Sequence, residues 1–277
     1  LLGGGDAGQD ARSVPGFQGG ELLGSHHQHR LVLSRGHGPV AGVEGGGAGG
    51  GLFCDGSPPT LADCTFSGNT AESGGGMFCY YSSPTLTDCT FSENGDALTG
   101  GGISCYGSSP VLDGCTFAEN TGEKGGGVYC FYSRAAFTGC TFTDNQAGSS
   151  GGGVHCERYS SPTFTGCTFL QNQANFLGGG GLYCYNSFPE LTSCTFSGNK
   201  TFVAGGGILS TCSSSPTLLR SIIAFSQAGG AIYCEGNSDA VLSCCDVFGN
   251  VGGDWTGVIA DQEGVDGGLV SALGIQR

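Results

Sequence analysis

A single-stranded parallel β-helix of about eight turns, all β, is the fold this sequence predicts. Three observations carry the expectation. Three-glycine runs start at Gly49, Gly74, Gly100, Gly125, Gly151, Gly179 and Gly205, with Gly229-Gly230-Ala231 after them, so the chain repeats every 24 to 28 residues. Within each copy apolar residues alternate at the period of a strand. The same residue types also return to the same place, as residues 74–94, GGGMFCYYSSPTLTDCTFSEN, illustrate.

Taken in chain order, residues 1–29 fit no turn of the repeat and are expected to form an irregular segment or cap. An open solenoid end needs one, because it presents unpaired strand edges. The β-helix is expected over 30–252, with a degenerate turn around Leu31, Val32 and Leu33 and clear repeats over 49–250. Seven copies open with an apolar residue two before a cysteine: Leu52/Cys54, Met77/Cys79, Ile103/Cys105, Val128/Cys130, Val154/Cys156, Leu182/Cys184 and Ile232/Cys234. That spacing puts both side chains on one face of a first strand. A Ser/Pro-rich turn follows, then Pro-Thr-Leu or a relative, then Cys-Thr-Phe. Leu61 and Cys64 are three apart, so a bend must separate a second strand from a third if both side chains point inward.

Every copy therefore offers three short strands and no helix. One copy cannot bury its apolar face alone, whereas stacked copies pair each strand with its equivalent one turn away. Eight turns at about 4.8 Å each give a rod on the order of 38 Å long. Residues 253–277 are read as a partial last turn with an acidic character.

The columns fix the register. Phe66, Phe91, Phe117, Phe142, Phe169 and Phe196 are expected to stack inward, since a slip of one residue would turn the whole column to water. Asn69, Asn94, Asn120, Asn145, Asn172, Asn199 and Asn250 stand at the following corner. There asparagine tolerates the left-handed conformation, and stacked amides hydrogen-bond from turn to turn. The glycine runs mark corners that stack too closely for a Cβ.

Gly229-Gly230-Ala231-Ile232 and the six Phe-x-x-Asn copies resemble the paired GGAI and FxxN repeats of chlamydial polymorphic outer membrane proteins. More broadly, residues 49–250 are similar to repeat regions of secreted bacterial right-handed β-helix proteins with the pectin-lyase-like fold. The resemblance implies a right-handed coil, an extracellular or cell-surface location and a role in adhesion. The double cysteine column is denser than that motif requires.

One column holds Cys54, Cys79, Cys105, Cys130, Cys156, Cys184 and Cys234; the other holds Cys64, Cys89, Cys115, Cys140, Cys167, Cys194 and Cys245. Cys212 and Cys244 stand outside both. Two readings are open. The columns are buried thiols acting as small apolar residues, or each turn carries a disulfide. The second is favoured by Ser210 and Ser221, which replace both columns together in the seventh turn, and it requires Cα atoms within about 7 Å. Zinc is disfavoured, because no Cys-x-x-Cys pair exists.

Composition excludes several functions. Glycine takes 57 of 277 positions and charged residues only 12%, against an ordinary share of about 25% charged. With mean hydropathy at +0.01 and regular apolar spacing, disorder does not fit either. The net charge of −14 repels phosphate backbones, so no nucleic acid partner is expected. No apolar stretch approaches the roughly 18 residues of a membrane span. The chain opens on Leu1 rather than Met, as expected of a processed product or a fragment.

For chemistry, Glu93, Glu119 and Asp144 occupy one place in three consecutive turns, a candidate Ca2+ strip. Solvated carboxylates at that spacing repel by only about 1 kcal/mol in water, so the strip requires no cation and no cofactor is expected. Asp254, Asp261, Glu263 and Asp266 form a second acidic group without EF-hand spacing, and His26, His27 and His29 cluster before the repeats. His155 replaces an outward aromatic and is expected to decorate the surface. Arg134, Arg158 and Arg220 read as isolated.

Thr65, Thr90, Thr116, Thr141, Thr168 and Thr195 form an outward column that sheet propensity explains. Phe53, Phe78, Tyr129, Tyr183 and Tyr233, joined by Tyr80, Tyr106, Phe131 and Tyr185, form an outward aromatic stripe suited to protein or glycan contact, or simple cross-strand stacking. The functional expectation is a non-catalytic, adhesin-like or structural surface scaffold binding glycans or surface proteins. A polysaccharide lyase or glycoside hydrolase is the alternative, although no pair of carboxylates at a set separation can be assembled. A filament built by end-to-end self-association is a third.

Overall fold

A computed structural model describes residues 32–33, 47–56, 58–95 and 97–257, with backbone alone at 32–33 and 255–257. The alternating apolar pattern makes strands, and identical pattern in successive copies makes them pair in register. The first sheet stacks Leu52–Asp55, Met77–Tyr80, Ile103–Tyr106, Val128–Phe131, Val154–Glu157, Leu182–Tyr185, Ile208–Thr211 and Ile232–Cys234 as parallel neighbours. The second runs from Thr60–Ala62 to Val241–Ser243, and the third from Thr65–Ser67 to Asp246–Phe248, with eight strands each. This is the parallel solenoid of about eight turns, three strands per turn, that the repeat predicts.

Two features go beyond the expectation. A fourth sheet of five short strands, Ala97–Thr99, Thr121–Lys124, Gln146–Ser150, Gln173–Ala174 and Lys200–Thr201, lines the approach to the glycine runs in the middle turns. At the start of the coil, Val32–Leu33 pairs antiparallel with Leu52–Phe53. The two residues therefore lie across the first edge and do not form the degenerate parallel turn anticipated there. At the other end Trp255–Gly257 pairs in parallel with Ile232–Cys234, a partial further turn.

The core is a set of columns. Phe66, Phe91, Phe117, Phe142, Phe169 and Phe196 stack with centroids 4.7, 5.0, 5.0, 4.7 and 4.3 Å apart and rings within 9° of parallel. The bend required between Leu61 and Cys64 is made by Asp63, whose φ is 52°, and its equivalents include Asp88, Gly114 and Arg220.

The asparagine corner needs a correction. The left-handed residue is the one before each asparagine, Glu93 and Glu119 and Asp144 among them, all at φ 55°. Six of the seven asparagines are buried instead, with Asn250 half-buried, because their amides are consumed by the ladder. Asn120 donates from its backbone N and from Nδ2 to Asn145 Oδ1 at 3.1 and 2.9 Å, and Nδ2 also donates to the Phe91 carbonyl at 2.9 Å. Glycine is required beside it. A Cβ on Gly126 would lie 2.5 Å from the Gln146 carbonyl oxygen and 2.6 Å from that of Gly152.

All sixteen cysteines are free, the fourteen of the two columns buried and Cys212 and Cys244 exposed. The in-register pairing sets Cys54 beside Cys79 and Cys130 beside Cys156, one turn away in the same column. Burial holds Cys156, Cys184 and Cys234 above the ordinary thiol value.

Candidate functional site

Strand alternation that buries Leu52 and Cys54 turns Phe53 and Asp55 outward. Parallel register then extends each outward position into a row along the first sheet. One row reads Phe53, Phe78, Ser104, Tyr129, His155, Tyr183 and Leu209; its neighbour reads Asp55, Tyr80, Tyr106, Phe131, Glu157, Tyr185 and Thr211. Tyr80 stacks on Tyr106 at 5.5 Å and Tyr106 on Phe131 at 4.6 Å, so the expected aromatic stripe exists.

At the corner beyond these rows, Tyr81, Tyr132 and Tyr159 have φ of 45°, 48° and 58°. They are 61, 52 and 58% exposed. Gly56 and Gly107 hold the place of Tyr81 and Tyr132 in other turns at no cost, and Arg158, just before Tyr159, holds it in the fifth. A left-handed conformation costs an L side chain about 1–2 kcal/mol.

In the fifth turn both outward aromatic positions become polar together. His155 and Glu157 stand there, with Lys124 and Ser150 supplied by the fourth sheet. Three groups converge on one carboxylate oxygen: Lys124 Nζ at 3.0 Å, Tyr129 Oη, which donates to it, at 3.0 Å, and His155 Nε2 at 3.4 Å from Glu157 Oε2. The other oxygen, Oε1, has Arg158 Nε 3.9 Å away. Ser150 Oγ lies 2.9 Å from His155 Nδ1.

The electrostatics follow from the geometry. The His155 ring and the Lys124 ammonium hold the Glu157 carboxyl down at about 2, against the opposing effect of burial. His155 is 2% exposed, between the rings of Tyr129 and Tyr183, and burial lowers its pKa despite the nearby carboxylate. The imidazole is therefore neutral at pH 7. Its Nε2 has no aligned hydrogen bond, because the Glu157 oxygen at 3.4 Å lies off its axis. Burial and the Glu157 charge push the Tyr129 phenol up, so it remains a donor.

Two expectations are corrected here. His155 does point to the outer face, yet it is covered by its neighbours instead of decorating the surface. Arg158 is not isolated, since it stands beside Glu157. Arg134 and Arg220 are exposed.

The calcium candidates Glu93, Glu119 and Asp144 are exposed side chains at stacked corners, with Thr143 donating to Asp144 Oδ2 at 3.0 Å. Among the described residues no group of three or more His, Cys, Asp or Glu is placed to hold a metal ion. Asp254 accepts from the backbone N and Nδ2 of Asn250 at 3.0 and 2.9 Å, which ends the amide ladder with a carboxylate. Asp261, Glu263, Asp266, His26, His27 and His29 lie outside the described residues. No helix among the described residues is long and apolar enough to cross a membrane.

Sequence reasoning missed Lys124, Ser150 and Glu157. The available signal was the fifth turn itself, the one copy among the first six in which both outward positions lose aromatic or small character together. In comparison with known proteins, the family model described as right handed beta helix region matches residues 43–169 and 101–261. No curated protein and no solved structure matches the chain.

Proposed function

The chain belongs to the right-handed β-helix family, and from that premise we propose that it is a non-catalytic scaffold of the cell surface or extracellular space. The outer face of its first sheet is the binding face, and glycans or surface proteins are its partners. The supporting observation is the stacked aromatic run Tyr80, Tyr106 and Phe131 on that face, carried from turn to turn by in-register pairing and flanked by the exposed corner residues Tyr81 and Tyr132. Aromatic rings with a polar tip suit surfaces that must be wet when free and covered when bound. The fold serves adhesins and pectin-lyase-like enzymes alike, so the face, and not the fold, carries the reading.

A glycan array with and without Ca2+, run beside an assay for polysaccharide cleavage products, tests it. Binding that falls in a Tyr80→Ala/Tyr106→Ala variant, with no product released, is the expected result. Product release, or binding indifferent to that variant and to the corner tyrosines, refutes it.

A further inference from the structure

Within that binding face, and resting on that reading, we propose one saccharide subsite at the fourth and fifth turns. Glu157 Oε1 and Arg158 form its polar pair, the rings of Tyr132 and Tyr159 form its platform, and its ligand is an uncharged pyranose of a glycan chain.

The argument begins with the carboxylate. Lys124, Tyr129 and His155 all converge on Glu157 Oε2, which fixes the group and leaves Oε1 facing Arg158 Nε across 3.9 Å. That gap is too long for a hydrogen bond. It is the right width for one hydroxyl oxygen between them, accepting from the guanidinium and donating to the carboxylate. A sugar hydroxyl is both donor and acceptor, as this pair demands.

The rings supply the second element. Tyr132 and Tyr159 lie 6.2 Å apart with planes 28° from parallel, and both are more than half exposed. Tyr132 takes the left-handed place that Gly56 and Gly107 hold in other turns, and Tyr159 follows Arg158, both left-handed, so the two rings are carried on backbone that favours glycine. The apolar face of a pyranose covers such rings while its hydroxyl edge reaches the Glu157–Arg158 pair.

Charge selects the class of sugar. Glu157 is more than offset by Lys124 and Arg158 at the site, while the chain as a whole carries −14, and over distance the larger charge decides. A polyanion meets long-range repulsion, and a simple cation finds the carboxylate already engaged.

The test is titration calorimetry of the whole chain with neutral gluco-, manno- and xylo-hexaoses and with hexagalacturonate as the charged counterpart. At least one neutral hexaose should bind. Its affinity should fall about three- to tenfold in each of Tyr132→Ala and Tyr159→Ala, the worth of one aromatic contact, and recover in Tyr159→Phe. Both tyrosines are exposed, so these variants fold. Glu157→Gln should weaken binding further.

Neutral-sugar binding that survives all three losses but falls in Tyr80→Ala/Tyr106→Ala moves the subsite while leaving the binding face intact. Tighter binding of hexagalacturonate overturns the choice of an uncharged sugar. Capture of a protein on this face with no hexaose bound also overturns the subsite. Loss of every interaction at the face removes the subsite and the scaffold reading together.

Discussion

Replacing Asn145 by alanine removes four hydrogen bonds from the middle of the ladder. Two are accepted by Oδ1, from Asn120 N at 3.1 Å and Asn120 Nδ2 at 2.9 Å. Two are donated by Nδ2, to the Phe117 carbonyl and to Asn172 Oδ1, both at 2.9 Å. The bond from Asn145 N to Asn172 Oδ1 belongs to the backbone and survives. At about 1 kcal/mol net for each bond, with Asn120 N left buried and unpaired, the loss is about 4 kcal/mol. Asn145→Asp behaves differently. It keeps both accepted bonds but turns a carboxylate oxygen toward two other acceptors, so its penalty should shrink as acid protonates the group. Urea unfolding measures both, as a fall in midpoint at constant slope. Hydrogen exchange at the Asn120 amide gives the local reading. A loss below about 1 kcal/mol for Asn145→Ala would mean that the ladder merely accompanies the coil and does not hold it.

Two further outcomes follow from the same structure. Under native conditions without reductant, a thiol reagent should titrate Cys212 and Cys244 quickly, and the other fourteen of the sixteen only on unfolding; fewer than sixteen after unfolding would establish disulfides. Stability should fall with acid in two steps at the fifth turn. The folded His155 lies below its ordinary 6.5, so the unfolded chain takes up that proton first and stability is lost as pH drops below 6.5. Glu157, at about 2 against 4.5 unfolded, contributes above 4.5 and loses its share as pH falls toward 2. Thermal midpoints against pH should lose the upper step in His155→Gln and the lower in Glu157→Gln; an unchanged upper slope in His155→Gln assigns it elsewhere.

The architecture was legible because a solenoid writes long-range contacts into a period. Phe91 meets Phe117 since the two occupy one place in consecutive copies, and the three-residue spacing of Leu61 and Cys64 called for a bend between them, which Asp63 makes. Where the rule is silent, expectation failed. The period says which residues share a corner but not which of two neighbours takes the left-handed conformation. Asn94 looked suited to it, yet its amide is worth more in the ladder, and Glu93 takes the bend. The period also ends at the first edge, where Val32–Leu33 has no preceding copy to pair with and crosses antiparallel.

The fifth-turn cluster shows a second kind of contact, set by the glycine corner. Ser150 meets His155 at 2.9 Å and Thr99 meets Ser104 at 3.2 Å, each pair five residues apart with a three-glycine run between them. The run folds the residue before it onto the outward residue two past its end. Lys124 stands in the same place as Ser150, one turn earlier, and its ammonium reaches Glu157 from there. No bulkier residue permits the fold, because a Cβ on Gly126 or Gly152 would enter carbonyl oxygens at about 2.4–2.6 Å. Glycines that read as spacers in the sequence are thus what bring the fourth sheet's polar side chains over the first sheet's outer face. The cluster could have been found by asking, for every copy, what stands immediately before the run and what stands two residues after it. In the fourth and fifth copies that question returns Lys124 with Tyr129 and Ser150 with His155: three of these side chains meet Glu157, and Ser150 meets the other ring nitrogen of His155.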